Sequence, residues 1–213
     1  MTKSFETWEY EEIESVFKLT RVYEHPMLSE WMSCSLVNQL EESANRYLIS
    51  LQNRLIINAE SWNEDELKMF FIAPLLSQVP LEFDNFKPFT QRTLSANFPD
   101  LNLSVSGKVE FILAKGKQRP KQPFFFLHEY KQERRRENDP LGQLLISMLA
   151  ARANNDTDTP LYGCFVIGRD WFFVILDKET YVVSLAFDAT KPELFQIHSM
   201  LSAMPYLIKN LLK

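Results

Sequence analysis

Two apolar runs, each carrying one glutamate, constrain this chain more than any other feature. Gly107-Lys-Val-Glu110-Phe-Ile-Leu-Ala114 and Phe124-Phe-Phe-Leu-His-Glu129-Tyr-Lys131 each have the length and the aromatic or branched content of a buried strand. The polar, basic stretch from Lys115 to Lys121 predicts a hairpin connection between them. Side chains alternate along a strand, so Glu129 and Lys131 point one way and His128 the other. Neighbouring strands would then collect Glu110, Glu129 and Lys131 at one spot beside several phenylalanines. A cross-strand Glu–Lys pair at a sheet edge is the plain explanation. The flanking Phe-Phe-Phe-Leu and Val-Glu-Phe-Ile runs point instead to a covered, central position.

A divalent cation gives such a grouping a chemical purpose. Magnesium or manganese takes hard oxygen ligands and keeps several waters for the substrate side. Glu110 and Glu129 supply two such oxygens, and the carbonyl of Tyr130 is a natural third. Lys131 reaches the same space, where an ammonium can polarise an attacking water or neutralise charge developing on a phosphate.

The rest of the pattern is α/β. Apolar residues recur at helical spacing from Val37 to Asn58. His25-Pro26 should interrupt helix before it. Ser61-Trp-Asn-Glu64 has the form of a capping box opening a helix to about Leu76, which Pro74 should kink or end. Strands are expected at 88–98, 103–114 and 123–131, then a helix at 139–153 with Asp139 as N-cap and Pro140 at its first position. Strands at 161–167, 171–176 and 180–187 follow, with a closing helix over 192–212. The helix at 139–153 permits a parallel crossover while the hairpins are antiparallel, so the central sheet should be mixed and flanked by helices.

Composition narrows the class. The 213 residues suffice for one domain with a helical extension, and 46% hydrophobic with 24% charged residues is ordinary for a globular chain. No apolar run is long enough to cross a membrane, and the acidic opening Met1-Thr-Lys-Ser-Phe-Glu does not read as a signal peptide. Cys34 and Cys164 lack Cys-x-x-Cys spacing, which fits reduced thiols in a cytoplasmic protein and excludes a cysteine-based zinc site. The net charge of −5 argues against bulk coating of nucleic acid. Lys115, Lys117, Arg119 and Lys121 on one side and Lys131 with Arg134 to Arg136 on the other flank the carboxylates in sequence, a local basic character that phosphate handling could use.

Gly-x-Val-Glu110-Phe, then Glu129-x-Lys131 nineteen positions on, then Gln143 on the next helix, resembles the PD-(D/E)XK nuclease superfamily. The resemblance covers 61–187. It is nearest to the N-terminal nuclease-like domains of type I restriction motor subunits and related stand-alone bacterial proteins, including a glycine-bearing hairpin like Val166-Ile-Gly168-Arg-Asp-Trp171. It implies a restriction-endonuclease-like mixed sheet over 61–213, with 1–60 as a helical extension. It implies Mg²⁺ or Mn²⁺ held by Glu110, Glu129 and Tyr130, Lys131 as catalytic lysine, and Gln143 orienting a ligand, water or phosphate. An acid on the first core helix often completes such a site, and Glu66 is taken for that role, with Glu64 in its place or a purely capping Glu66 as the alternatives. The implied activity is hydrolysis of nucleic acid, DNA in preference to RNA, with a homodimer as one expected assembly. The family's usual Pro-Asp is here Val109-Glu110, whose extra methylene shifts the carboxylate. A degenerate, non-catalytic interaction or dimerisation module is the alternative that this departure keeps open.

Overall fold

A computed structural model describes residues 2–34, 40–131, 139–155 and 158–212. The chain enters through strand β1 (Thr2–Ser4), a 3-10 turn (Phe5–Thr7), helix α1 (Tyr10–Phe17), strand β2 (Thr20–Val22) and helix α2 (Pro26–Ser33). Helix α3 (Glu42–Asn58) buries Leu48, Leu51 and Leu55 as one stripe, as the periodicity predicts. The helical pattern expected to begin at Val37 has that residue outside the described residues.

Helix α4 (Glu64–Leu67) passes through a π-helical turn (Lys68–Ile72) into α5 (Ala73–Leu76). In a regular α-helix the ring of Pro74 would press on the carbonyl of Phe70 and remove a hydrogen bond. The wider π turn precedes that position, so the helix continues through Pro74 instead of stopping there. Strands β3 (Phe86–Phe98), β4 (Leu103–Lys115) and β5 (Lys121–Lys131) follow, then helix α6 (Pro140–Asn154). Strands β6 (Leu161–Ile167), β7 (Asp170–Asp177), β8 (Thr180–Val183) and β9 (Phe187–Asp188) precede helices α7 (Glu193–Ser202) and α8 (Met204–Leu211). The single closing helix expected over 192–212 is divided at Ala203, because Pro205 in the first turn of α8 cannot continue the ladder of α7.

One large mixed sheet holds these elements together, in the order β1-β4-β5-β6-β7-β8-β2, with β3 on β4 and β9 on β7. The pairs β3/β4, β4/β5, β6/β7 and β7/β8 are antiparallel, while β5/β6 are parallel across α6. The N-terminal segment is not helical throughout, as the sequence reading had it. β1 pairs in parallel with β4 and β2 in parallel with β8. Strands of three residues give too short an alternation to be read from sequence. Phe5, Trp8, Ile13 and Trp31 are buried in the same core as the sheet residues. Trp31 donates its indole N–H to the Met200 carbonyl at 2.7 Å, tying α2 to α7.

α6 is buried along almost its whole length, from Leu141 to Ala151. Asp139 caps it as expected, accepting from the Leu141 amide at 3.0 Å, and its second oxygen accepts from the Tyr10 amide at 2.7 Å. One carboxylate therefore satisfies free amides at the starts of both α6 and α1. Gly163 lets α6 lie close to the sheet, since a Cβ there would stand 2.8 Å from the Met148 sulfur. In the β4–β5 connection Gly116 has φ +122, a left-handed conformation, and a Cβ would lie 2.2 Å from the Arg119 carbonyl oxygen.

Gly107 on β4 faces the ring of Phe5, and a Cβ there would sit 2.4 Å from Phe5 Cγ. Gly107→Ala is expected to cost about 1–3 kcal/mol in urea unfolding. Because the clash is with one side chain, the loss should be clearly smaller when measured in a Phe5→Ala background, as a double-mutant cycle would record.

Candidate functional site

Strand pairing places the acids first. Phe111 is paired with His128, and the same register carried one residue further sets Glu110 opposite Glu129. Directly opposed residues share a face. β3 flanks the other side of β4, with Thr90 paired to Phe111 and Arg92 to Val109, so Gln91 stands opposite Glu110. Gln91 has φ +53, in the left-handed region, which costs a non-glycine residue about 1 kcal/mol. Its amide donates to Glu110 Oε2 at 2.5 Å. Gln91 went unnoticed in the sequence because nothing in a β-pattern marks which residue will leave it.

The helix before the sheet supplies two further charges. Lys68 Nζ lies 2.7 Å from Glu64 Oε1 and 2.7 Å from Glu110 Oε2. Lys131 Nζ lies 3.1 Å from Glu129 Oε1 and 3.8 Å from Glu64 Oε2. Glu64, Glu110, Glu129, Lys68 and Lys131 thus form one continuous network, with Glu64 shared by both ammonium groups.

The choice of Glu66 as the helix acid is corrected by this geometry. Ser61 and Trp62 both donate their backbone N–H to the Asn58 carbonyl, extending the end of α3. The first extended residue is therefore Asn63, which accepts from the Glu66 amide at 2.9 Å while Glu66 Oε2 accepts from the Asn63 amide at 2.9 Å. That closes a capping box two residues later than Ser61-to-Glu64 spacing predicts. The shift commits the Glu66 carboxylate to the helix end and frees Glu64 for the sheet.

Electrostatics follow from burial. Glu129 is 8% exposed. Desolvation is the main influence on its carboxyl and raises its pKa, Lys131 opposes the rise, and Glu110 and Glu64 add to it. The balance pushes Glu129 from an ordinary 4.5 up to about 7. For Lys68, burial disfavours the ammonium, but its bonds to Glu110 and Glu64 outweigh that and hold its pKa above the ordinary lysine value.

The remaining expected residues lie as follows. Tyr130 falls between Glu129 and Lys131, and its ring sits with His128 on the opposite face, centroids 5.6 Å apart. Its hydroxyl is buried without a partner among the described residues. His128 packs against Phe111 at 5.0 Å and Trp171 at 6.1 Å, and burial pushes its pKa down to about 3, so it is a neutral core residue. Gln143 on α6 is 3% exposed and its amide has no hydrogen-bond partner among the described residues. It makes no bond to the charged network. α6 nevertheless covers the relevant face, since Met148 and Leu144 abut Gly163, which shares a face of β6 with Phe165, the partner of Glu129.

The basic hairpin does not flank the site in space. Lys115 pairs with Lys121 at one end of the β4–β5 ladder, while Glu110 and Glu129 stand beyond the other. Five residues of strand separate Lys115 from Glu110, about 17 Å. Local positive charge at the carboxylates comes from Lys68 and Lys131. Arg134 to Arg136 lie outside the described residues.

The donor chemistry of Glu64, Glu110 and Glu129 suits a hard divalent cation. Among the described residues, though, no three His, Cys, Asp or Glu side chains are disposed to hold one. The carboxylates close on ammonium groups instead. The sequence matches no protein-family model and no curated protein.

Between about pH 4.5 and 7 the folded chain holds a proton on Glu129 that the unfolded chain releases, so this residue lowers stability as pH rises through that window. The difference in unfolding free energy between the native chain and Glu129→Gln should fall across it, by on the order of 3 kcal/mol. Urea titrations of both proteins at intervals from pH 4 to pH 8 measure that difference directly. A difference that stays constant with pH would show that Glu129 titrates normally.

Proposed function

We propose that the chain is a metal-assisted phosphodiesterase of the PD-(D/E)XK type, acting on DNA in preference to RNA. The observation that carries this reading is the opposition of Glu110 and Glu129 across β4 and β5, with Lys131 two residues on and 3.1 Å from Glu129. The order helix, three strands, helix, strands from residue 64 to 188 supports a restriction-endonuclease-like arrangement.

Glu110 and Glu129 would hold Mg²⁺ or Mn²⁺, with Glu64 beside them. Such an ion, when bound, neutralises phosphate charge and lowers the proton affinity of a water. Lys131 contributes a donor at the same point of the sheet, suited to a non-bridging phosphate oxygen or to orienting the attacking water. Gln91 fixes the Glu110 rotamer through its 2.5 Å bond, and α6 shields this face from bulk water. Gln143 has an amide with free donors and acceptors for a ligand.

A second reading has an observation of its own. Lys68 lies within 2.7 Å of both Glu64 and Glu110, which favours a chain that keeps the fold without the chemistry and acts as an interaction or dimerisation module. The two readings separate on one assay. Purified protein with Mg²⁺ or Mn²⁺ is expected to nick or degrade single- or double-stranded DNA, and Lys131→Met to lower that rate by roughly 10²–10⁴-fold with circular dichroism unchanged. No cleavage of DNA or RNA, combined with a stable dimer in sedimentation, would establish the module instead.

A further inference from the structure

We infer that Lys68 is a tethered cation occupying a divalent-ion position between Glu64 and Glu110, so that metal enters the site only by displacing it. This deepens the reading above and rests on it for the role of Glu110 as a metal donor.

The geometry is the first ground. A single ammonium nitrogen stands 2.7 Å from an oxygen of each carboxylate, on two different elements, α4 and β4. Lys131 does not fill the same place, because its contacts are to Glu129 and, more distantly, to Glu64. The second ground is the state of the carboxylates. Glu110 already takes Gln91 on Oε2, and Glu64 takes Lys131 on Oε2, so the acids are arranged about nitrogen donors and do not converge on a common empty point. Without Lys68, Glu64 and Glu110 would lose the cation that both of them contact, leaving Glu64 with Lys131 at 3.8 Å and Glu110 with the Gln91 amide. Such a pair is relieved by a proton or by a cation with hard oxygen preference.

The third ground is room to leave. Lys68 lines a cleft of about 670 Å³ together with Asp65, Met69, Ile72, Gln91 and Glu110. Its side chain is 20% exposed and flexible, so the ammonium can swing outward along the cleft and stay hydrated or meet Asp65. Lys68 also begins the π-helical turn. Its place in the sequence, four residues after Glu64, looks like an ordinary surface i,i+4 pair, which concealed this role.

The test uses the full chain and Mn²⁺ itself. Isothermal titration calorimetry of the native chain and of Lys68→Met is expected to show Mn²⁺ binding at least roughly tenfold tighter in the variant, since a unit positive charge leaves the carboxylates. Equal or weaker binding in Lys68→Met, or no binding by either protein, overturns the inference. Should the variant fail to fold, amine acylation of the native chain read by peptide mass spectrometry decides. Saturating Mn²⁺ should speed labelling of Lys68 and leave the distant Lys209 unchanged, whereas an unaltered or slower Lys68 rate overturns the inference. Tighter Mn²⁺ binding in a protein that cleaves no nucleic acid would uphold the displaced lysine and discard the phosphodiesterase.

Discussion

The pairing of Phe111 with His128 fixes the sheet side of the charged network, because Glu110, Glu129 and Lys131 take their common face from that one register. A slip of one residue would send Glu110 or Glu129 to the far face, among Tyr130, His128 and Trp171. Once the two acids are opposed under α6, ionising both needs cations, and Lys68 and Lys131 meet that need only in part, since burial still pushes Glu129 up to about 7. Breaking a buried pair by removing one partner costs about 3–5 kcal/mol, since the surviving charge is stranded. The network is thus a requirement of placing these acids inside the fold.

Three carboxylates against two ammonium groups leave the network with little net charge in a chain of net charge −5. The distant basic hairpin serves its own end of the sheet, where Lys87 donates to the Lys117 carbonyl at 2.5 Å.

How much of this could be read from the residues alone varies with length scale. The long strands β4, β5, β6 and β7 and the helix α6 announced themselves by continuous apolar runs, by Gly and Pro punctuation and by the Asp139-Pro140 start. The convergence of Glu110, Glu129 and Lys131 followed from strand alternation and needed no long-range knowledge. The three-residue strands β1 and β2 did not show, because pairing with residues about a hundred or more positions away is a tertiary event with no local pattern. The sequence does not separate Glu66 from Glu64, because the turns ending α3 absorb Ser61 and Trp62, which periodicity does not register. Gln91 and Lys68 were illegible for a related reason. One departs from its strand by a single left-handed residue, and the other resembles a solvent-facing helix lysine until β4 is packed against it.

Among the described residues β2 ends one side of the sheet and pairs there with β8: Thr20 with Thr180 and Val22 with Val182. A polypeptide made from its N-terminus must carry that piece unpaired while some hundred and sixty further residues are synthesised. Such sequence-distant closure slows folding and prolongs the interval in which an unsatisfied edge can find another molecule. The early segment therefore behaves as a clasp, engaged last, and the cell would meet this protein's aggregation hazard during translation more than after it.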